Sequence, residues 1–134
     1  MREPLWVPRL VVEAIHLDQL REHGGLPGLR DENLLEASLA RPHHQWTYKR
    51  RPDLAGLAAA YAYGIVRNHP FRDGNKRVGF VTAVVFLGLN GQELVADDAD
   101  VVHTVLRLAD GKLSEAALAR WIRTRLRPLS GNAG

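Results

Sequence analysis

The sequence predicts an all-α fold, and three observations carry that expectation. Apolar residues recur at helical spacing along most of the chain. Capping residues and Gly or Pro stops punctuate it at helix-length intervals. No stretch shows a clear apolar/polar alternation of the β kind. About six helices are expected, two of them nearly all-apolar and buried, with amphipathic helices around them.

The first helix is expected over residues 8–23. Pro8 suits a helix start, and Leu10, Val11, Ala14, Ile15, Leu17 and Leu20 form its apolar stripe. Gly24-Gly25 and Pro27-Gly28 stop it. Asp31 is a natural N-cap for a second helix from Glu32 to about Ala40, with Leu34, Leu35 and Leu39 inward and Pro42 as its end. Residues 42–52, PHHQWTYKRRP, read as an exposed loop or short hairpin whose Trp46 and Tyr48 are candidates for contacting a ligand or partner. Asp53 caps a third helix, Leu54 to Asn68, apolar on nearly every face. A polar cluster follows, then a second apolar helix ending at Asn90-Gly91. After a connector, QELVADD, a fifth helix runs from about Ala99 to Ala109. Ser114 caps a sixth, Glu115 to about Leu126. Residues 1–129 form one domain, and the tail 130–134, SGNAG, is expected to be disordered.

Bulk composition narrows the function classes. The chain of 134 residues is 46% hydrophobic and 25% charged, enough for a core without disulfides or structural metal. It has no cysteine, which excludes a thiolate zinc site and fits a reducing compartment. Its N-terminal apolar run is short and broken by Pro8, Arg9 and Glu13, which points to neither a secretory signal nor a membrane span. A cytoplasmic location is the expectation. The net charge is +3. The denser basic groups, residues 49–51 and 120–127, read as solvated surface, so no specific nucleic-acid partner is expected.

The polar cluster is HPFRDGNKR, residues 69–77. Asp73-Gly74 permits a tight turn. The helix that opens at Gly74 exposes its first N–H groups, and with the helix dipole they form an anion site. Lys76 and Arg77 are unfavourable for the helix itself, a local cost that makes sense if a phosphate normally sits there. Asp73 would repel a bare phosphate unless a divalent cation such as Mg²⁺ lay between them. His69 can take a proton from an attacking hydroxyl. Together these parts describe phosphoryl or nucleotidyl transfer. The adjacent His43 and His44 have no further ligands at metal-site spacing.

HPFRDGNKR resembles the signature of the Fic/Doc family, H-P-F-x-[D/E]-G-N-[G/K]-R-x-x-R. The GGLPG turn at residues 24–28, the helix order and the Asn-Gly stop resemble its Doc branch. The resemblance covers most of residues 1–129. It implies a helical domain with His69 as general base and Asp73 holding Mg²⁺. It implies that Gly74, Asn75, Lys76 and Arg77 cradle the phosphates of ATP or another nucleoside triphosphate, with Arg67 as a further phosphate contact. Residues 42–52 correspond to the target-docking flap, with Trp46 and Tyr48 as guides. Adenylyl-transferring members carry Gly where this chain has Lys76, and Arg where it has Phe80. The resemblance therefore implies a Doc-type kinase passing the γ-phosphate to a protein hydroxyl, in that branch a threonine of elongation factor Tu. It also implies a separate small antitoxin, because the family's inhibitory [S/T]-x-x-x-E-[G/N] motif is missing. Adenylyl transfer and a non-catalytic binding module remain the alternatives.

Overall fold

Acidic and hydroxyl caps set where three of the six helices of the computed structural model begin. The structure describes residues 1–129, and the expected disordered tail lies outside them. The elements are α1 (Arg9–His23), α2 (Glu32–Tyr48), α3 (Leu54–Asn68), α4 (Asn75–Leu89), β1 (Gln92–Leu94), α5 (Asp98–Ala109), α6 (Glu115–Arg123) and β2 (Leu126–Pro128). Asp31, Asp53 and Ser114 each accept an N–H from the first turn of their helix, as their positions predict. No helix among the described residues is long and apolar enough to cross a membrane.

The two apolar helices do form the centre. α3 packs on α2, α4 and α6, and its residues from Ala55 to Ala60 are all buried. Small residues let these helices approach closely. A Cβ added at Gly79 of α4 would lie 2.7 Å from Val66 Cγ2 and 3.2 Å from the Ala62 carbonyl of α3. Tyr61, Phe86, Leu57, Ile65 and Leu87 fill the space between the helices. Tyr61 also anchors the N-terminal arm, because its hydroxyl accepts the Val7 N–H at 3.0 Å.

Four expectations need correction. First, α2 does not end at Pro42 but runs through it to Tyr48. Proline withdraws one intrahelical hydrogen bond. Leu35, Ser38 and Pro42, however, lie on one helix face, and all three are buried. Packing of that face offsets the lost bond. Second, residues 42–48 are therefore helix and not loop. Trp46 continues the buried face and packs against the core, while Tyr48 is 82% exposed. Third, α1 turns a different face inward. Val12, Ile15, His16 and Gln19 are buried, whereas Leu10 and Leu17 are exposed. Fourth, α6 stops at Arg123, and Leu126 pairs with Leu94 in a two-stranded antiparallel ladder between β1 and β2. Strands of three residues are too short to show alternation in a sequence.

Candidate active site

The site lies where α3 ends and α4 begins. His69 terminates α3 in the left-handed conformation, φ 55° and ψ 52°. Among the described residues it is the only non-glycine at positive φ, a state in which histidine is several-fold enriched. Its N–H still reaches the Ile65 carbonyl, at 3.1 Å. The reversal turns the chain sharply while His69 itself stays exposed.

The following loop is tied on both sides. Arg30 donates from Nε to the His69 carbonyl at 2.7 Å and from Nη2 to the Asn68 carbonyl at 2.9 Å. The Pro70 carbonyl accepts the N–H groups of Arg30 and Asp31, and the Arg72 N–H donates to the Gly28 carbonyl. The turn 24–31 thus forms a second wall along the motif. Phe71, 2% exposed, anchors the loop in the core. The Asn75 side chain clamps it from within: Oδ1 accepts the Phe71 N–H at 3.0 Å, and Nδ2 donates to the Phe71 carbonyl at 2.9 Å.

Gly74 opens α4 at φ 78°, a conformation that glycine adopts without the Cβ penalty. The first intrahelical bond runs from the Val78 N–H to the Gly74 carbonyl, at 2.9 Å. The amides of Asn75, Lys76 and Arg77 therefore have no helical acceptor, and no side chain caps them. These groups border a hollow of about 160 Å³ lined by His69, Asp73, Gly74, Asn75, Lys76 and Arg77. Among the described residues, the ion pairs lie elsewhere, at Arg9, His23, Arg41, Arg123, Arg125 and Arg127. Lys76 and Arg77 enter none of them, and Arg77 Nε is buried without a hydrogen-bond partner. Positive charge is concentrated at a helix end that already favours anions.

Asp73 also lines the hollow. Its carboxylate accepts the N–H of Leu26 at 3.1 Å and that of Gly74 at 3.1 Å. These two bonds, then the charges of Arg77 and His69, hold it below the usual carboxylate range. It stays ionised at neutral pH. A single ionised carboxylate on the same hollow as these amides and cations fits Mg²⁺, which is commonly held by one or two carboxylates together with substrate phosphates. Among the described residues, no group of three or more His, Cys, Asp or Glu side chains could hold a metal by itself.

The structure brings together His69, Asp73, Gly74, Asn75, Lys76 and Arg77. It gives the Asn75 side chain to the loop, and its backbone N–H has no helical acceptor. It sends Arg67 elsewhere: the guanidinium donates to the Ala109 carbonyl at 3.2 Å and lies beside Gly111. There it caps the end of α5, where carbonyls lack partners. Trp46 and Tyr48 do not line the hollow. Past Arg77 an apolar groove of about 190 Å³ begins, lined by Phe80, Val101, Val102, Val105 and Leu106.

Two residues that sequence reasoning misses also shape the site. Arg30 reads in the sequence as one more charge in a loop. His16 reads as a polar position outside the expected stripe of α1. It is 4% exposed, its ring stacks on Phe71 with centroids 4.0 Å apart, and Nε2 lies 3.1 Å from the Asp73 carbonyl. Burial pushes its pKa down, so the ring is neutral at neutral pH. A carbonyl partner assigns the proton to Nε2. The one available signal is its spacing, since His16 falls four residues after the buried Val12.

Comparison with known proteins identifies relatives of the chain. Residues 6–87 match the family model described as Fic/DOC family. The protein kinase doc of Escherichia phage P1 is 32% identical over 110 residues, which cover 82% of this chain and 86% of that protein. The toxin Doc of Mycolicibacterium smegmatis is 41% identical over 75 residues, covering 55% of this chain and 58% of that protein. The chain thus belongs to the Fic/Doc family, on its Doc branch.

Proposed function

We propose that this protein is a Doc-type toxin that transfers the γ-phosphate of a nucleoside triphosphate to a protein hydroxyl. The observation that carries the reading is the start of α4. An uncapped helix N-terminus, two cations outside any ion pair among the described residues and an ionised carboxylate border one hollow with His69. The relative named a protein kinase supports the reaction class, and the relative named a toxin supports the biological role.

In this reading the amides of residues 75–77, Lys76 and Arg77 bind the outer phosphates and neutralise charge in the transition state. Mg²⁺, held by Asp73 and phosphate oxygens, would supply further neutralising charge. The His69 imidazole takes the proton of the target hydroxyl. That oxygen bonds to the γ-phosphorus while the bond to the β,γ-bridging oxygen breaks, releasing the diphosphate. Phe80 supplies an apolar surface where adenylyl-transferring members carry a second arginine, which favours γ-phosphate transfer over AMP transfer. Elongation factor Tu is the proposed target, with a threonine as acceptor. A small antitoxin is the proposed restraint, and the cytoplasm the proposed location. Of the two aromatic residues near the end of α2, Tyr48 is the one open to a substrate chain.

The test uses two labels in parallel. Purified protein, Mg²⁺ and elongation factor Tu are incubated once with γ-labelled and once with α-labelled ATP. Transfer from the γ position alone, lost in His69→Ala, is expected. Transfer from the α position would overturn the kinase reading in favour of adenylylation. Transfer from neither would sink the proposed target.

A further inference from the structure

The Asp73–Gly74 peptide is the hinge of the site. On one side hangs the Asp73 carboxylate, and on the other begins the row of amides that faces the hollow. Gly74 sits at φ 78° and accepts either sign of φ at little cost. A peptide that precedes such a glycine can rotate between two turn geometries that differ mainly in the direction of that carbonyl. In one of them a carbonyl oxygen turns toward an anion and opposes it. Something has to select the other.

The N–H of this peptide, that of Gly74, donates to the Asp73 carboxylate at 3.1 Å, a bond within the residue pair itself; its carbonyl is held by a donor from elsewhere in the chain. The Asp73 carbonyl accepts a hydrogen bond from His16 Nε2 at 3.1 Å. This donor comes from α1, 57 residues away, and is itself immobilised. It is 4% exposed, and its ring lies at 17° to the Phe71 ring. Phe71 is in turn clamped by Asn75, which opens α4. Burying an imidazole carries a desolvation cost that an apolar side chain would not. Its polar edge is directed at the hinge peptide.

We infer that His16 is a positioning residue: its bond to the Asp73 carbonyl locks the 73–74 peptide so that the carboxylate and the α4 amides face the hollow together. The functional part of this inference rests on the phosphate-site reading above. The geometric part, a locked peptide, does not.

The experiment separates the two. His16→Phe keeps an aromatic ring against Phe71 and removes the donor. His16→Gln keeps an N–H donor of similar reach. Each variant is compared with the wild type by thermal unfolding, by ¹⁵N relaxation dispersion of the ligand-free protein, and by calorimetric titration with Mg-ATP. The wild type should show no dispersion at Gly74 and Asn75. His16→Phe should fold, show dispersion at both amides, and bind ATP about tenfold more weakly, as expected for loss of one hydrogen bond. His16→Gln should suppress the dispersion and recover most of the affinity. If His16→Phe fails to fold, His16→Leu replaces it. Unchanged amides and affinity in the donor-free variant would reduce His16 to a packing residue and overturn the inference. So would a Gln variant as impaired as the Phe variant. If the wild type binds no ATP, the phosphate-site reading fails, and the dispersion comparison alone decides the role of His16.

Discussion

The two buried helices start in opposite ways. α3 begins as folding stability would have it. Asp53 caps it, accepting the Gly56 N–H at 2.8 Å, and ion-pairs with Arg123 of α6. A negative charge meets the positive end of the helix dipole. α4 begins with no side-chain cap, no acid in its first turn, and Lys76 and Arg77 in its place. One start is satisfied within the chain. The other is left unsatisfied and is held open by a second layer of contacts from Arg30, the Leu26 amide, Asn75 and His16. α1 and α5 also start without a side-chain cap, but Arg9 at the start of α1 is ion-paired and α5 carries Asp98 and Asp100 in its first turn. Among the described residues α4 alone combines a missing cap, no acid and cations outside any ion pair, which is the combination the proposed phosphate site would use.

The difference can be broken at either end. The largest effect is expected from His69→Ala, which removes the proposed base and leaves the α4 amides in place. Transfer of labelled phosphate should fall by about 10²–10⁴-fold, with nucleotide binding and melting temperature nearly unchanged. Next comes Arg77→Ala. A charged hydrogen bond is worth about 1.5–3 kcal/mol, so calorimetry should show Mg-ATP binding roughly ten- to a hundredfold weaker. The start of α3 supplies the opposite result. Asp53→Ala should cost about 1–2 kcal/mol in chemical denaturation, the usual value of a lost cap, and leave labelled transfer intact.

Asp53 also makes a pH prediction. Hydrogen bonding to Arg123, then to the Gly56 N–H, holds its pKa below the ordinary value despite partial burial. Its folded pKa is depressed, so its contribution to stability is present above the unfolded value of about 3.9. That contribution is lost as pH falls through the folded value. Wild-type stability should therefore decline below about pH 4 more steeply than that of Asp53→Asn, as read from urea midpoints across that range.

The same contrast explains what is legible in the sequence. Caps act within three residues, so Asp31, Asp53 and Ser114 can be read directly, and with them most helix boundaries. The motif from His69 to Arg77 is also local, and six of its nine residues meet in one hollow. What cannot be read depends on distant packing. Pro42 looks like a stop until Leu35 and Ser38 are seen buried on the same face. Arg67 looks like part of the motif until the end of α5 arrives beside it. The inward face of α1 is hidden because hydrophobicity alone cannot foresee that His16 and Gln19 are drawn inward. His16 and Arg30 reach the loop from 57 and 39 residues away, and no spacing rule connects them to it.

The smallest change gives the most direct test of the proposed phosphate site. Lys76 is exposed, so Lys76→Glu alters charge with little effect on packing. The measurement is the melting temperature of wild type and variant, each with and without saturating Mg-ATP. Without ligand, an acid in the first turn should stabilise α4 by about 0.3–1 kcal/mol, so the variant should melt higher. With ligand the order should reverse, because a ligand bound to the native state adds more stability the more tightly it binds, and the variant repels it. A variant that melts lower without ligand, or gains as much from Mg-ATP as the wild type, would contradict an α4 start shaped for phosphate.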